Sequence, residues 1–153
     1  MSNVFANGYD EFDNKFIEIV DGLVFDYPKD FDSLDESIGG LYTISPFGTM
    51  KMYVGKTISF KTRLLFHQRD LMKGLHIRRE LQRDVNTNKG ANIKIFPLKG
   101  YDEYQMYSME AAFIHTYSGS GLLYNGQIPA MNESNRKKYF DMFIGEQKGI
   151  KHE

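Results

Sequence analysis

The stretch KMYVGKTISFKTRLLFH, residues 51–67, begins like a strand, passes through Gly55 and continues into a predicted helix. Ser59 is a residue type that commonly caps the start of a helix, and the apolar residues after it recur at helical spacing. The letters GKT also end the phosphate-binding P-loop motif, G-x-x-x-x-G-K-[ST]. That motif requires a glycine at position 50, where this chain has Met50. The stretch is therefore not a P-loop, and its tyrosine, lysine, arginine and histidine side chains need another explanation.

Strands and helices are predicted on both sides of this stretch. Residues 39–46, GGLYTISP, have the β-branched and aromatic character of a strand, and residues 50–55 form a second strand after one tight turn. This pattern predicts a hairpin. Residues 92–98, NIKIFPL, alternate like a third strand, and helices are predicted at 77–85 and 104–117. The chain therefore has the elements of an α/β fold with a three-stranded sheet.

Charge and turn residues divide the chain into three predicted regions. These are an acidic N-terminal extension over 1–38, a working domain over 39–128 and a C-terminal helical tail over 129–153. The first region has ten acidic and two basic residues, a net charge of −8, and an extended piece is predicted at Leu23–Tyr27. A helix is predicted before that piece from four apolar residues at helical spacing: Phe12, Phe16, Ile19 and Val20.

Charge and composition narrow the classes of function. Residues 51–99 have twelve Lys or Arg against three acidic residues, a net of +9, which suits a polyanion such as nucleic acid. A solvated, charged helical surface explains this charge equally well. The 153-residue chain has no cysteine, which excludes disulfides, thiolate zinc sites and cysteine nucleophiles. It has no apolar run of about 18 residues and no signal-peptide pattern, so we expect no membrane partner and a cytoplasmic location.

The two strands of the hairpin carry matching triplets, GLY at 40–42 and YVG at 53–55, which predicts two tyrosines on one face of the sheet. Four polar residues follow in a fixed order: Arg63, His67, Glu110 and Asn125. Arg63 and His67 are one helical turn apart and so share a face. The whole set, over residues 39–127, resembles the GIY-YIG nuclease family, and its details are closest to the catalytic domains of phage homing endonucleases. The first triplet has leucine where the family usually has isoleucine.

Each of these residues, taken alone, has a simpler explanation. A tyrosine in a strand is more commonly a core or cross-strand aromatic, and a histidine beside Leu64 and Phe66 is more commonly packed or on the surface. An arginine or glutamate in a helix usually faces solvent, and Asn125-Gly126 is a common turn pair. Their order and spacing together favour the family resemblance over these separate explanations.

The resemblance implies a small α/β domain, with a mainly antiparallel, three-stranded sheet flanked by helices, and a catalytic role for five residues. Tyr42 is the implied general base, which requires a lowered pKa of its phenol. Arg63 offers a planar fork of donors to the scissile phosphate. Tyr53 and His67 would orient water and phosphate or assist proton transfer. Glu110 is the implied ligand of Mg²⁺ or Mn²⁺, since hard cations prefer oxygen ligands.

Further residues are assigned supporting roles by the same resemblance. Lys56, next to Gly55, is placed to lower the pKa of the general base, and Asn125 is expected to brace the site. His76 ends the element KGLH and is expected near the DNA strand. The family's LQR stretch follows at 81–83. A basic helix face is predicted to bind DNA: Arg78, Arg79 and Arg83.

These assignments predict a metal-dependent DNA endonuclease that hydrolyses phosphodiester bonds, with double-stranded DNA as its partner and Mg²⁺ or Mn²⁺ as its cofactor. A single site cuts one strand, so a homodimer is one way to cut both. The resemblance favours an origin in a phage or mobile element, and therefore the host cytoplasm as the location. Two alternatives stay open: a catalytically silent protein of the same fold that binds nucleic acid or interferes with a partner, and a nuclease that cuts RNA.

Overall fold

Five strands and four α-helices make up the described part of the chain. The structure is a computed structural model that describes residues 16–20 and 22–148. The strands are β1 Phe16–Val20, β2 Leu23–Tyr27, β3 Gly40–Pro46, β4 Tyr53–Thr57 and β5 Gly90–Pro97. The α-helices are α1 Phe60–Lys73, α2 Arg79–Asn88, α3 Glu103–Tyr117 and α4 Glu133–Gln147, and a short 3₁₀ helix spans Phe31–Ser33.

The five strands form one sheet in the order β1-β2-β5-β3-β4. β3 is antiparallel to both of its neighbours, β4 and β5, and β1 is antiparallel to β2. β2 and β5 are parallel. The α/β class and the mainly antiparallel sheet flanked by helices are therefore confirmed. The predicted count of three strands is wrong, because β1 and β2 extend the sheet to five.

The helix predicted in the N-terminal region is wrong where the structure describes that region. Phe16–Val20 is a strand whose residues pair with Leu23–Tyr27. The sequence FIEIV has three β-branched residues, which favour a strand, and pairing with β2 satisfies main-chain donors and acceptors that a short isolated helix would leave at its ends. Phe12 lies outside the described residues. The extended piece predicted over Leu23–Tyr27 is confirmed as β2.

The predicted helices after residue 58 are confirmed, with shifted ends. α1 begins after Ser59, whose side chain accepts a hydrogen bond from the main-chain N–H of Thr62, and it stops at Gly74 in the left-handed conformation. The helix predicted from residue 77 begins two residues later, and the helix of the C-terminal tail, predicted near residues 134–143, spans Glu133–Gln147 as α4. Among the helices of residues 22–148, none is both long and apolar enough to cross a bilayer.

Helices cover both faces of the sheet, so β3 is buried on both sides. Successive residues of a strand point to opposite faces. Tyr42 therefore lies in one core cluster with Phe60 of α1, whereas Leu41 lies in a second cluster with Phe113 of α3 and Phe143 of α4. The sheet separates two apolar layers, and the tyrosine of the GLY triplet belongs to the layer formed with α1 and α2.

Aromatic residues of the acidic N-terminal region also contribute to the core. Phe25 and Tyr27 of β2 are 0% exposed, and Phe31 is 2% exposed. The rings of Tyr27 and Phe31 stack with their centroids 4.3 Å apart. The Tyr27 hydroxyl donates a hydrogen bond to the Gln68 side chain on α1. The boundaries of the three regions stay predictions, and the core includes residues from the first of them.

We expect Phe25→Ala to lower the free energy of unfolding by about 3–5 kcal/mol, because it leaves a cavity under the sheet. Urea denaturation followed by circular dichroism measures this loss. Ile19→Ala is the matched control, since Ile19 is 70% exposed and its truncation should change stability by about 0.5 kcal/mol or less. Equal stability of the two variants would contradict the packing of β2 described above.

Candidate active site

The hydroxyl of Tyr42 is positioned by a glycine on the neighbouring strand. Tyr42 on β3 is the cross-strand partner of Gly55 on β4, and it is 1% exposed. A Cβ atom at position 55 would lie 2.3 Å from both Cζ and Oη of Tyr42. Only glycine leaves room for the ring to lie across β4, which explains the glycine of the YVG triplet.

Two buried histidines form a row of hydrogen bonds that begins at the Tyr42 hydroxyl. The Oη atom lies 2.7 Å from His67 Nε2, and His67 Nδ1 lies 2.8 Å from His76 Nε2. The main-chain N–H of Arg78 donates to His76 Nδ1 at 3.0 Å. The two imidazole rings stack with centroids 5.0 Å apart, and the Tyr53 ring meets both of them edge-on. The Tyr42 hydroxyl is therefore one end of a continuous chain of hydrogen bonds that starts at a peptide group.

His76 lies inside the protein rather than at its surface. It is 1% exposed, so its side chain is not available for direct contact with DNA in this conformation, and its expected place near the DNA strand stays a prediction. Its main-chain N–H donates to Gln82 Oε1 at 3.0 Å, and Gln82 Nε2 donates to the main-chain oxygen of Leu71 at 2.9 Å. No role was assigned to Gln82 from the sequence, although it belongs to the LQR stretch. A polar residue on the buried face of α2, between Leu81 and Val85, is the signal for such a buried hydrogen-bonding group.

Arg63 supplies an exposed positive charge beside the two tyrosines. It lies on α1 one turn before His67. Burial raises the pKa of the Tyr42 and Tyr53 phenols above their ordinary value of 10.0, and the Arg63 guanidinium opposes this rise. Burial has the larger effect. The lowered pKa expected for a general base at Tyr42 is therefore not produced by the protein groups alone.

Glu110 brings a carboxylate near the same tyrosines. It lies on α3, which packs against β4. Burial raises the pKa of its carboxyl group, and the nearby Lys56 opposes this rise. The negative charge of Glu110 in turn contributes to the raised pKa of Tyr42 and of Tyr53. Among the residues that the structure describes, the carboxylate has no hydrogen-bond or ion-pair partner.

The surroundings of Glu110 fit a divalent cation that keeps most of its water. No three His, Asp or Glu side chains within residues 16–20 and 22–148 are grouped closely enough to share an ion. Mg²⁺ is commonly bound by one or two carboxylates, with water and substrate phosphate as its other ligands. A half-buried carboxylate without a protein partner suits that kind of binding. Glu110 is the residue of this site able to bind such an ion.

Asn125 fixes the position of β4 from outside the sheet. Its Oδ1 atom accepts from the main-chain N–H of Val54 at 3.0 Å, and its Nδ2 donates to the Val54 oxygen at 2.8 Å. The chain just before Asn125 continues this contact through main-chain hydrogen bonds to Met52. The side-chain amide thus replaces the pairing that a further strand would provide. Tyr53, next to Val54, is held in place as a result.

The three arginines predicted to bind DNA lie in different environments. Arg78 lies over Gly126, where a Cβ atom would be 2.3 Å from its Nη1, and its charge acts on Tyr53 and on His76. Arg79 donates to two main-chain oxygens of the loop between α1 and α2, at 3.0 and 3.1 Å. Arg83 forms an ion pair with Asp84 at 3.0 Å. Of the three, Arg78 is the one whose charge acts on Tyr53.

The structure brings nine of the predicted site residues together around β4, at an edge of the sheet. They come from the hairpin, from α1, from the α1–α2 loop, from α3 and from the segment after α3: Tyr42, Tyr53, Gly55, Lys56, Arg63, His67, His76, Glu110 and Asn125. Arg79 and Arg83 are engaged elsewhere. The catalytic and binding roles of all these residues stay predictions.

We expect Gly55→Ala to push the Tyr42 ring out of its place and to break its hydrogen bond with His67. Overpacking of this kind lowers the free energy of unfolding by about 1–3 kcal/mol, measurable by urea denaturation. Gly145→Ala is the matched control, because a Cβ atom there meets nothing within 4 Å and alanine is favoured over glycine in a helix. A Gly55→Ala variant as stable as the control would refute the steric role of Gly55.

No protein-family model matches the chain, and no curated protein matches it either. Among solved structures, the chain is similar to the catalytic domain of the homing endonuclease I-TevI. The two share 26% of their residues over 57% of this chain and 99% of that one, with a TM-score of 0.49. A homing endonuclease catalytic domain is the class of domain that the sequence motifs resemble.

Proposed function

We propose that the chain is a metal-dependent endonuclease that hydrolyses phosphodiester bonds in DNA. The proposal is carried by one observation, the exposed guanidinium of Arg63 beside the hydroxyls of Tyr42 and Tyr53. The unpaired carboxylate of Glu110 is close enough to affect the same two hydroxyls. A phosphate bound by Arg63 would therefore lie next to a phenol and next to a carboxylate able to bind a cation.

Arg63 and Tyr42 carry the chemical step in this mechanism. Arg63 binds the scissile phosphate through charge-assisted hydrogen bonds and stabilises the negative charge that develops on its oxygens. The Tyr42 phenolate takes a proton from a water molecule, so that an O–H bond of water breaks and the phenol O–H bond forms. The water oxygen attacks phosphorus, and the 3′ oxygen leaves with the bonding electron pair and takes a proton from solvent.

Formation of the Tyr42 phenolate is the step that needs most assistance, since burial raises the pKa of the phenol. The Arg63 guanidinium lowers this pKa, and a hydrogen bond donated to the oxygen acts in the same direction. A divalent cation bound by Glu110 would supply further positive charge for the phenolate and the phosphate oxygens. Tyr53 is half-buried, and its ring contacts that of Tyr42. In this proposal it orients the phosphate or the water.

Narrower proposals follow from the family resemblance. The substrate is double-stranded DNA, and a homodimer would bring together the two sites that are needed to cut both strands. The protein would originate from a phage or a mobile element and act in the cytoplasm of the host. Mg²⁺ or Mn²⁺ would be the cofactor.

A second candidate function is nucleic-acid binding without cleavage. The raised pKa of Tyr42 favours this alternative, because it keeps the phenol protonated and unable to take a proton from water. In that case, the protein would bind DNA through its basic residues and form no product. Cleavage of a supercoiled plasmid separates the two functions.

We expect the wild-type protein to nick supercoiled plasmid with Mg²⁺ and to form no product with EDTA. Arg63→Lys keeps the charge but loses the planar fork of donors, so it should cut about a hundredfold more slowly or worse. Glu110→Gln should show a similar loss because the amide cannot replace the carboxylate charge. Gel electrophoresis of nicked and linear DNA over time gives the rates.

The controls for this assay are conservative changes at matched positions. Arg83→Lys is the control for Arg63→Lys, and Glu103→Gln is the control for Glu110→Gln, since Glu103 is exposed on the same helix. Both controls should cut at wild-type rates. Failure of the wild type to produce nicked DNA would reject the nuclease in favour of the binding-only protein.

The environments of Arg78 and Arg83 predict different contributions to DNA binding. Arg78 is beside the site, whereas Arg83 is paired with Asp84 at 3.0 Å and with Glu80 at 3.8 Å. We therefore expect Arg78→Ala to reduce the slope of log affinity against log salt by about one, and Arg83→Ala to leave the slope nearly unchanged. Fluorescence anisotropy of duplex DNA, with EDTA present to prevent cleavage, measures both slopes. Equal slopes for the two variants would show that Arg78 contributes no more to DNA binding than Arg83, as expected for a solvated surface charge.

A further inference from the structure

We infer that His67 is a fixed hydrogen-bond donor to Tyr42, and that the main-chain N–H of Arg78 sets this direction through His76. The catalytic consequence rests on the proposed nuclease function, but the direction of the hydrogen bonds does not. Along the chain of hydrogen bonds from Tyr42 to residue 78, one group has an unambiguous role as a donor.

That group is the peptide N–H of Arg78, which can donate but cannot accept. It donates to His76 Nδ1 at 3.0 Å, so this nitrogen carries a lone pair and no proton. A neutral imidazole then has its proton on Nε2. The peptide group at residue 78 therefore selects one tautomer of His76.

The next hydrogen bond, between the two histidines, has a fixed direction as well. His76 Nε2–H lies 2.8 Å from His67 Nδ1, which must accept. The proton of His67 is then on its Nε2, 2.7 Å from the Tyr42 oxygen. His67 therefore donates to Tyr42, and the phenol oxygen receives this hydrogen bond.

Both imidazole rings must be neutral for the hydrogen bonds to have these directions. Protonation of either ring would place two N–H groups opposite each other at one of the three links. Burial, aided by the charge of Arg63, lowers the pKa of His67 from 6.5 to about 3. Burial also lowers the pKa of His76, although Asp70 opposes this. Both effects agree with the geometry.

The consequence concerns the general base. His67 Nε2 already bears a proton, so His67 cannot remove the proton of Tyr42. It acts instead as a positioning residue that orients the phenol oxygen and stabilises a phenolate there. Of the roles that the sequence left open for His67, this excludes acceptance of a proton from Tyr42. The Tyr42 proton must leave on another side of the oxygen.

The direct test is the tautomer of each histidine in the protein without DNA. Nitrogen-15 spectra of histidine-labelled protein distinguish protonated from unprotonated ring nitrogens. We expect Nδ1 of His67 and of His76 to be unprotonated, and to stay so when the pH is brought below the ordinary histidine pKa of 6.5. A protonated Nδ1 on His67 in the wild type overturns the inference.

A pair of variants tests the control by the peptide group. Arg78→Ala keeps the main-chain N–H, whereas Arg78→Pro removes it, and the φ of −85° at this position is within reach of proline. Compared with Arg78→Ala, the proline variant should show a mixture of tautomers at His76 and His67. Its single-turnover cleavage rate at saturating DNA should be about tenfold lower, because weaker stabilisation of the phenolate raises the pKa of Tyr42 by about one unit. Identical spectra for the two variants would contradict the inference.

A second pair covers the case in which the proline variant does not fold. His67→Gln keeps an N–H that can donate to Tyr42, and His67→Met does not. We expect His67→Gln to cut faster than His67→Met, and equal rates would count against the donor role. If no variant and no wild-type protein cuts DNA while the spectra are as expected, the nuclease proposal fails and the direction of the hydrogen bonds stands.

Discussion

The ring of Tyr42 lies across the backbone of Gly55, and this contact between two strands fixes where the other site residues can act. Because the ring replaces the side chain that position 55 lacks, its hydroxyl is held within the sheet and not at the end of a mobile side chain. His67 reaches the oxygen from α1, and the charges of Arg63 and Glu110 act on it from two different helices. A side chain at position 55 would separate these groups from their common target.

The buried polar chain behind Tyr42 is a second constraint on the fold. A polar group without a hydrogen-bond partner is costly in a protein interior. The two hydrogen-bonded imidazoles, His67 and His76, have four ring nitrogens that need partners. Here all four have partners, the last being a peptide N–H, and Gln82 connects the same loop to the end of α1. The tight loop between α1 and α2 is thus part of the site, although its exposed residues give no sign of this.

Much of the site could be predicted from sequence because its parts lie on locally determined elements. The hairpin and α1 follow from strand alternation, a capping serine and a terminal glycine, and these elements hold Tyr42, Tyr53, Arg63 and His67. The burial of His76 could not be predicted, since KGLH reads as an ordinary helix end and its partners come from residues 78 and 82. The strand at Phe16–Val20 was missed for a similar reason. Its apolar spacing suits a helix, and the strand depends on pairing with β2, which in turn pairs with a distant segment.

The parallel pairing of β2 with β5 has a consequence for the order of events during synthesis. β2 leaves the ribosome early, but its partner, residues 90–97, is made only after the hairpin, α1 and α2 are complete. Until then, β2 can pair only with the adjacent β1, and Phe25 and Tyr27 lack the rest of the core in which they are buried. The repulsion among the acidic residues of this region works against aggregation of the nascent chain through its unpaired strands. A net charge of −8 over residues 1–38 would therefore oppose association of unfinished chains, independent of any contact with nucleic acid.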